Sequence, residues 1–300
     1  MRVIVTGGTG FIGTKLCERL LVKGHDPVVL TRDASRSRDH VHPRVKVASW
    51  AEGAPWEALV DGAGAIVNLS GEVVAQRWTA SVKERIVKSR VGAVEKLYAA
   101  IEKAKLRPSV LVNASAIGYY GVHDDGELTE ASPAGHDFLS ETCTRWEEAA
   151  KKVETLGVRV VRVRIGIVLS PDGGALAKML PPFQAFAGGP IGSGKQWMSW
   201  IHRDDLVDLL VFCLENEKAT GAINGTAPAP VRMNEFATAV GNALSRPSFL
   251  PAPAFAVKLL LGEAATIVLD GQKVLPKKAQ ELGFTFRHPE VQGALRDLLS

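Results

Sequence analysis

Only three of the 300 residues are cysteines, and Cys17, Cys143 and Cys213 are odd in number and far apart. Such a set builds neither a disulfide framework nor a Cys-x-x-Cys metal site, so reduced and buried thiols are expected. A clean apolar run of ~18 residues, the length of a membrane span, is also missing. The longest candidate, residues 254–269, is interrupted by Lys258 and Glu263, and a membrane is not expected as a partner. Basic clusters are lacking too: Lys+Arg 36 against Asp+Glu 32 leaves a net charge of +4 spread along the chain. That is no electrostatic footprint for nucleic acid. The opening Met-Arg-Val-Ile-Val-Thr-Gly-Gly has neither an apolar leader core nor a small-residue cleavage site, which points to the cytoplasm. What remains, 46% hydrophobic and 23% charged residues, excludes intrinsic disorder and fits one large or two modest domains.

Apolar runs at residues 2–6, 28–31, 45–48, 65–69, 109–114 and 158–169 read as strands. Between them, helical spacing is seen after residue 11, over residues 80–104 and over residues 137–156. This alternation predicts a parallel sheet covered by helices on both faces. Past Ser170, Pro171, Pro181, Pro182 and Pro190 and the glycine-rich stretch 188–194 break the rhythm, and helices follow at 204–215, 234–244, 255–269 and 288–299. The expected organisation is a first domain over residues 1–170, to which later segments can return, and a smaller α+β substrate-side region over residues 171–300. The stretch 188–194 lacks Walker spacing and reads as a flexible substrate-side loop or lid, or as an interdomain connection.

Gly7, Gly10 and Gly13 lie between the first strand and the first helix. Glycines there let the backbone turn tightly and approach a pyrophosphate, whose charge meets amide N–H groups at the helix start. The expected fold is therefore α/β, a Rossmann-like doubly wound parallel sheet that binds a dinucleotide. The second strand ends in Thr31 and Arg32. An NAD site places a carboxylate at this point for the ribose hydroxyls, whereas a 2′-phosphate calls for a cation. The Arg32 fork with the Thr31 hydroxyl points to NADP(H). The alternative is a solvated arginine with Asp33 as the ribose acceptor. Leu69, Ser70 and Gly71 close the fourth strand at the edge where a cofactor lies, or make a plain strand-ending turn. Glu84 and Arg90 follow on the next helix, within reach of the cofactor or of one another, or on a solvated face, which composition alone favours.

Thr6-Gly7-Gly8-Thr9-Gly10-Phe11-Ile12-Gly13, with Asn68-Leu69-Ser70-Gly71 and Tyr120-Gly121, resembles the extended short-chain dehydrogenase/reductases. Ser89-Arg90, Ala116-Ile117-Gly118-Tyr119-Tyr120-Gly121, Trp146-Glu147 and Trp200-Ile201-His202-Arg203-Asp204-Asp205-Leu206 narrow the likeness to an atypical, divergent subgroup of nucleoside-diphosphate-sugar epimerases. The resemblance spans the chain and includes an extension from about Leu250 that ordinary epimerases lack. It implies an NADP site formed by the loop with Thr9, Phe11 and Ile12, and by Thr31, Arg32, Leu69, Ser70, Glu84, Arg90 and Val168. It also implies an oxidoreductase or epimerase acting on a small-molecule carbonyl or hydroxyl substrate in an interdomain cleft.

In that superfamily a Tyr-x-x-x-Lys pair moves the proton, the lysine lowering the phenol pKa. Here the residues four beyond Tyr98, Tyr119 and Tyr120 are Glu102, His123 and Asp124, and the helix where the pair belongs reads Phe138-Leu139-Ser140-Glu141-Thr142-Cys143. Ser115, the only hydroxyl near the expected catalytic serine, and Tyr119, Tyr120 and His202 are the candidate replacements. Arg162 and Arg164 either meet an anionic substrate or form one solvated face. Loss of the pair keeps a second reading open, a non-catalytic NADP(H)-binding scaffold or redox sensor. No metal site is expected.

Overall fold

The computed structural model describes residues 1–300 except Glu52 and Asp124. In chain order the main strands are β1 (Arg2–Thr6), β2 (Asp26–Thr31), β3 (Lys46–Ser49), β4 (Ala65–Asn68), β5 (Val110–Ala116), β6 (Arg159–Ile165), β7 (Ile167–Ser170), β8 (Trp200–His202) and β9 (Gly221–Gly225). Seven of them form one parallel sheet in the order β9-β6-β5-β4-β1-β2-β3. The longer helices are α1 (Gly13–Val22), α2 (Ala80–Lys103), α3 (Phe138–Lys151), α4 (Gly174–Gln184), α5 (Arg203–Glu215), α6 (Met233–Leu244), α7 (Ala254–Leu261) and α8 (Val291–Leu299).

Alternation along β1 sorts the two layers. Val3 and Val5 face Leu16 and Leu20 of α1 and Leu206 and Leu210 of α5. Ile4 faces the other way, among Ile66, Val94 and Leu97 of α2 and Ala150 of α3. A third apolar cluster joins Leu180 and Phe183 of α4 to Trp200, Phe236 of α6 and Leu295 of α8, and it is the core of the smaller region.

Three sequence expectations change in detail. The run 158–169 is two strands, because at Gly166 the chain leaves the main sheet to pair β7 with β8. A Cβ on Gly166 would lie 2.6 Å from the Ser199 carbonyl, so only glycine fits this crossing. The region after residue 170 returns α5 to one face of the sheet and β9 to its edge. The helix expected over 255–269 stops at Leu261, where Gly262 takes a φ of +60°. The glycine-rich stretch 188–194 is pinned rather than free: Gly192 donates its N–H to the Ala252 carbonyl at 2.9 Å. The extension is tied back to the first domain by a short parallel pairing of Lys273–Val274 with Glu127–Leu128.

Candidate functional site

The loop from Gly7 to Gly13 sits at the carboxyl edge of the sheet, where β1 turns into α1. Gly7 adopts a φ of +68°, and a Cβ there would lie 2.7 Å from the Leu69 carbonyl oxygen. A Cβ on Gly13 would lie 2.2 Å from the Gly7 oxygen. Gly10 closes the turn by donating its N–H to Gly7 O at 3.0 Å. No side chain caps α1 and its first turn holds no acid, which leaves the positive end of the helix free for an anion. Thr9, Gly10, Phe11, Thr14 and the ion pairs Lys15–Glu18 (3.3 Å) and Arg203–Asp172 (2.8 Å) line a hollow of about 530 Å³ over this loop. The cradle thus fits a pyrophosphate in shape, and the uncapped start of α1 supplies the positive pole that meets its charge.

At the end of β2 the two sequence alternatives separate. Asp33 is taken up locally, its Oδ1 accepting from the Ser35 hydroxyl at 2.7 Å and the Arg36 N–H at 3.1 Å as the cap of a short helix. The Ser35 bond, then the Arg36 amide, hold its carboxyl below the usual carboxylate range. Arg32 is exposed, and Thr31 shares a 2.9 Å hydrogen bond with Ser37. Leu69 and Ser70 are half-buried beside Gly7, and Gly71 passes the Arg90 guanidinium so closely that a Cβ would lie 3.0 Å from Cζ. Arg90 donates to Ile86 O and Glu72 O, each at 3.1 Å. Glu84 is exposed on α2, and Val168 is half-buried in β7 opposite Ile201.

Beyond Arg90 opens a cavity of about 260 Å³. Val74, Ile86, Ile117, Leu139 and Ile165 give it an apolar interior. Leu139 and Cys143, one helical turn apart on α3, the helix on which the tyrosine and lysine pair was expected, form its wall. Burial pushes the Cys143 thiol up to about 12, so it is neutral at physiological pH. The opposite side belongs to the extension: Thr266, Ile267, Asp270, Gly271 and Gln272. Gln272 donates to Ile117 O at 2.9 Å, and Ser199 donates to Gln272 O at 2.7 Å. Sequence reasoning missed this side, although the lone Gly271 marks a close approach: a Cβ there would lie 2.0 Å from Trp197 O.

The residues read as replacement catalysts lie elsewhere. Ser115 is buried and donates to Glu147 Oε1 at 2.7 Å. Arg164, also buried, grips Glu147 with two bonds of 2.8 and 2.9 Å, and Arg162 stands 3.8 Å from the same carboxylate. Arg164 therefore serves a buried ion cluster, with the half-buried Arg162 at its edge. Tyr120, fully buried, accepts from Arg164 at 3.0 Å and donates to Asn224 at 2.6 Å, and burial pushes its phenol up to about 12. Tyr119 packs its ring under the Arg164 guanidinium, 3.4 Å from Cζ. His202 caps α5 through Nδ1, which accepts the Asp204 N–H, and stacks on His288 at 4.0 Å. None of Ser115, Tyr119, Tyr120 and His202 lines the cavity. Among the described residues, three that could group around a metal are His202, His288 and Asp297. His202 accepts at Nδ1, which leaves its proton on Nε2 and withdraws that atom as a ligand.

The sequence pattern of the NAD dependent epimerase/dehydratase family matches residues 3–224, and that of a domain of unknown function, DUF1731, matches residues 252–298. The chain is 49% identical to the epimerase family protein SDR39U1 homolog, chloroplastic, of Arabidopsis thaliana, over 100% of this chain and 87% of that protein. An epimerase family protein of Staphylococcus saprophyticus is 40% identical over 99% of this chain and 98% of its own. The crystal structure of human epimerase family protein SDR39U1 (isoform 2) with NADPH matches with a TM-score of 0.89 at 36% identity, covering 100% of this chain and 99% of that one.

Proposed function

Because this chain belongs to the NAD dependent epimerase/dehydratase family, we propose that it binds NADP(H) and acts as an oxidoreductase on a small carbonyl or hydroxyl compound held in the cavity. The observation that carries this reading is the division of roles after β2, where Asp33 is spent on a cap and Arg32 stands exposed. The NADPH in the human relative's structure supports it. Gly7, Thr9, Gly10, Phe11, Ile12 and Gly13 would hold the pyrophosphate, and Thr31 and Arg32 the 2′-phosphate. Leu69, Ser70, Gly71, Glu84, Arg90 and Val168 would line the rest of the dinucleotide. When bound, the cofactor supplies hydride donor or acceptor chemistry at the nicotinamide. The chain's own residues then position and exclude: Arg90 locks the loop after β4, and the extension closes the far side of the cavity with fixed hydrogen bonds. The three buried free cysteines support a reducing compartment, the cytoplasm.

Titration with NADPH, NADH, NADP⁺ and NAD⁺ tests the assignment. Arg32→Ala is expected to weaken binding of the phosphorylated pair by about tenfold or more and to leave the other pair unchanged. Equal affinity of the native protein for all four would defeat it. The Leu139 and Cys143 wall favours one other reading, a sensor that binds NADP(H) without turnover. Substrate-dependent loss of NADPH absorbance separates the two.

A further inference from the structure

Two properties of the cavity, taken together, restrict what it can reduce. The first is charge. Its ionisable lining is Arg90, Asp137, Cys143 and Asp270. Arg90 already donates to two carbonyls, and Asp137 accepts the Ser140 N–H and hydroxyl, each at 2.9 Å. Within the cavity two carboxylates and one committed cation offer a diphosphate no counter-charge, whereas the aliphatic interior suits an uncharged ring. The adjoining hollow, which shares Trp197 and Asp270, adds Lys195 and an Arg232 already paired with Asp125. The second property is the lack of a positioned acid, since Leu139 and Cys143 fill that wall. Hydride addition to an isolated ketone leaves an alkoxide about as basic as hydroxide, which needs an acid at hand. Addition to a conjugated ring leaves a phenolate, whose conjugate acid has a pKa of ~10 and which water protonates unaided.

We propose that the substrate is an uncharged conjugated dicarbonyl of the quinone class, and that residues 266–272 of the extension form the wall that selects it. The inference rests on the NADP(H) reading. In the reaction the quinone takes a hydride from reduced nicotinamide, which is oxidised. Both C=O π bonds are lost as the ring becomes aromatic: the hydride forms the O–H bond at one carbonyl oxygen, and the other oxygen, left as a phenolate, takes a proton from water. The wall needs no closing motion: Gln272 is bonded to Ile117 O, and Gly271 lies against Trp197.

The test uses the full-length protein. NADPH titration comes first, and failure to bind removes the cofactor reading itself. With NADPH bound, its absorbance is followed with 1,4-naphthoquinone, cyclohexanone or UDP-glucose, and the protein-free rate is subtracted. The expected result is saturable turnover of the quinone, with kcat/KM about a hundredfold or more above that for cyclohexanone, and neither turnover of UDP-glucose nor competition by it. Bound NADPH with no enzyme-dependent quinone reduction, or with UDP-glucose consumed, overturns the substrate class and leaves the cofactor reading standing. Ile267→Asp is expected to lower kcat/KM for the quinone by about tenfold while the NADPH Kd holds. An unchanged kcat/KM would remove the wall from the proposal.

Discussion

His202 lies in a nearly dry space, with His288 stacked on its ring and Asp297 Oδ2 3.3 Å from its Nε2. Burial, then His288, lowers its pKa below the ordinary 6.5, while Asp204, Asp205 and Asp297 pull the other way. Below pH ~6.5 the unfolded chain therefore binds a proton that the folded chain resists. The contribution of His202 to stability is complete above that pH and is lost as the medium is acidified towards the folded-state pKa. His202→Asn keeps a cap for α5 and removes the titration. Its Tm is expected to fall less than that of the native protein between about pH 7.5 and 5.5. Equal falls would assign the acid sensitivity to other groups. At this scale the sequence was half legible. The place of Arg32 at the end of β2 could be read because its neighbourhood is local, but the polar residues nearest the expected chemistry proved to be satisfied interior groups. Which polar atom a fold consumes is decided by partners far along the chain, as Asn224 is for Tyr120.

The α3–β6 contact is an element-scale clamp. Glu147 on α3 is fixed by Arg164 on β6 and by Ser115 on β5, and through Tyr120 the network reaches Asn224 on β9. Removing one partner of a buried pair strands the other charge, so Glu147→Gln is expected to cost about 3–5 kcal/mol in denaturant unfolding. The double change Glu147→Leu with Arg164→Met is expected to recover much of that loss, and no recovery would show that the clamp supplies more than charge balance. The element pattern was readable wherever branched apolar residues cluster, as in β1 and β4. It failed at β9, whose Gly-Ala-Ile-Asn-Gly carries almost no strand preference and is held in the sheet by its pairing with β6. The crossing at Gly166 did leave a trace, a glycine inside an apolar run, which is the mark of a bend.

Taken whole, the molecule places its glycine loop within one short contiguous segment and assembles its cavity from segments as distant as Val74 and Gln272. The first is visible in a linear string because each part adjoins the next, and the second is not, because only folding brings the parts together. The same assembly gives the three cysteines separate reporting duties. Cys17 and Cys213 sit 1% and 0% exposed beneath one face of the sheet, while Cys143 lines the cavity, and burial holds all three thiols at about 12. An alkylating reagent, which needs a thiolate, is therefore expected to label the native chain very slowly. A cavity ligand should slow labelling of Cys143 alone, and label on Cys17 and Cys213 should accumulate only as fast as the sheet opens. Peptide-resolved labelling would thus time two distinct events, emptying of the cavity and breathing of the core, without any introduced probe.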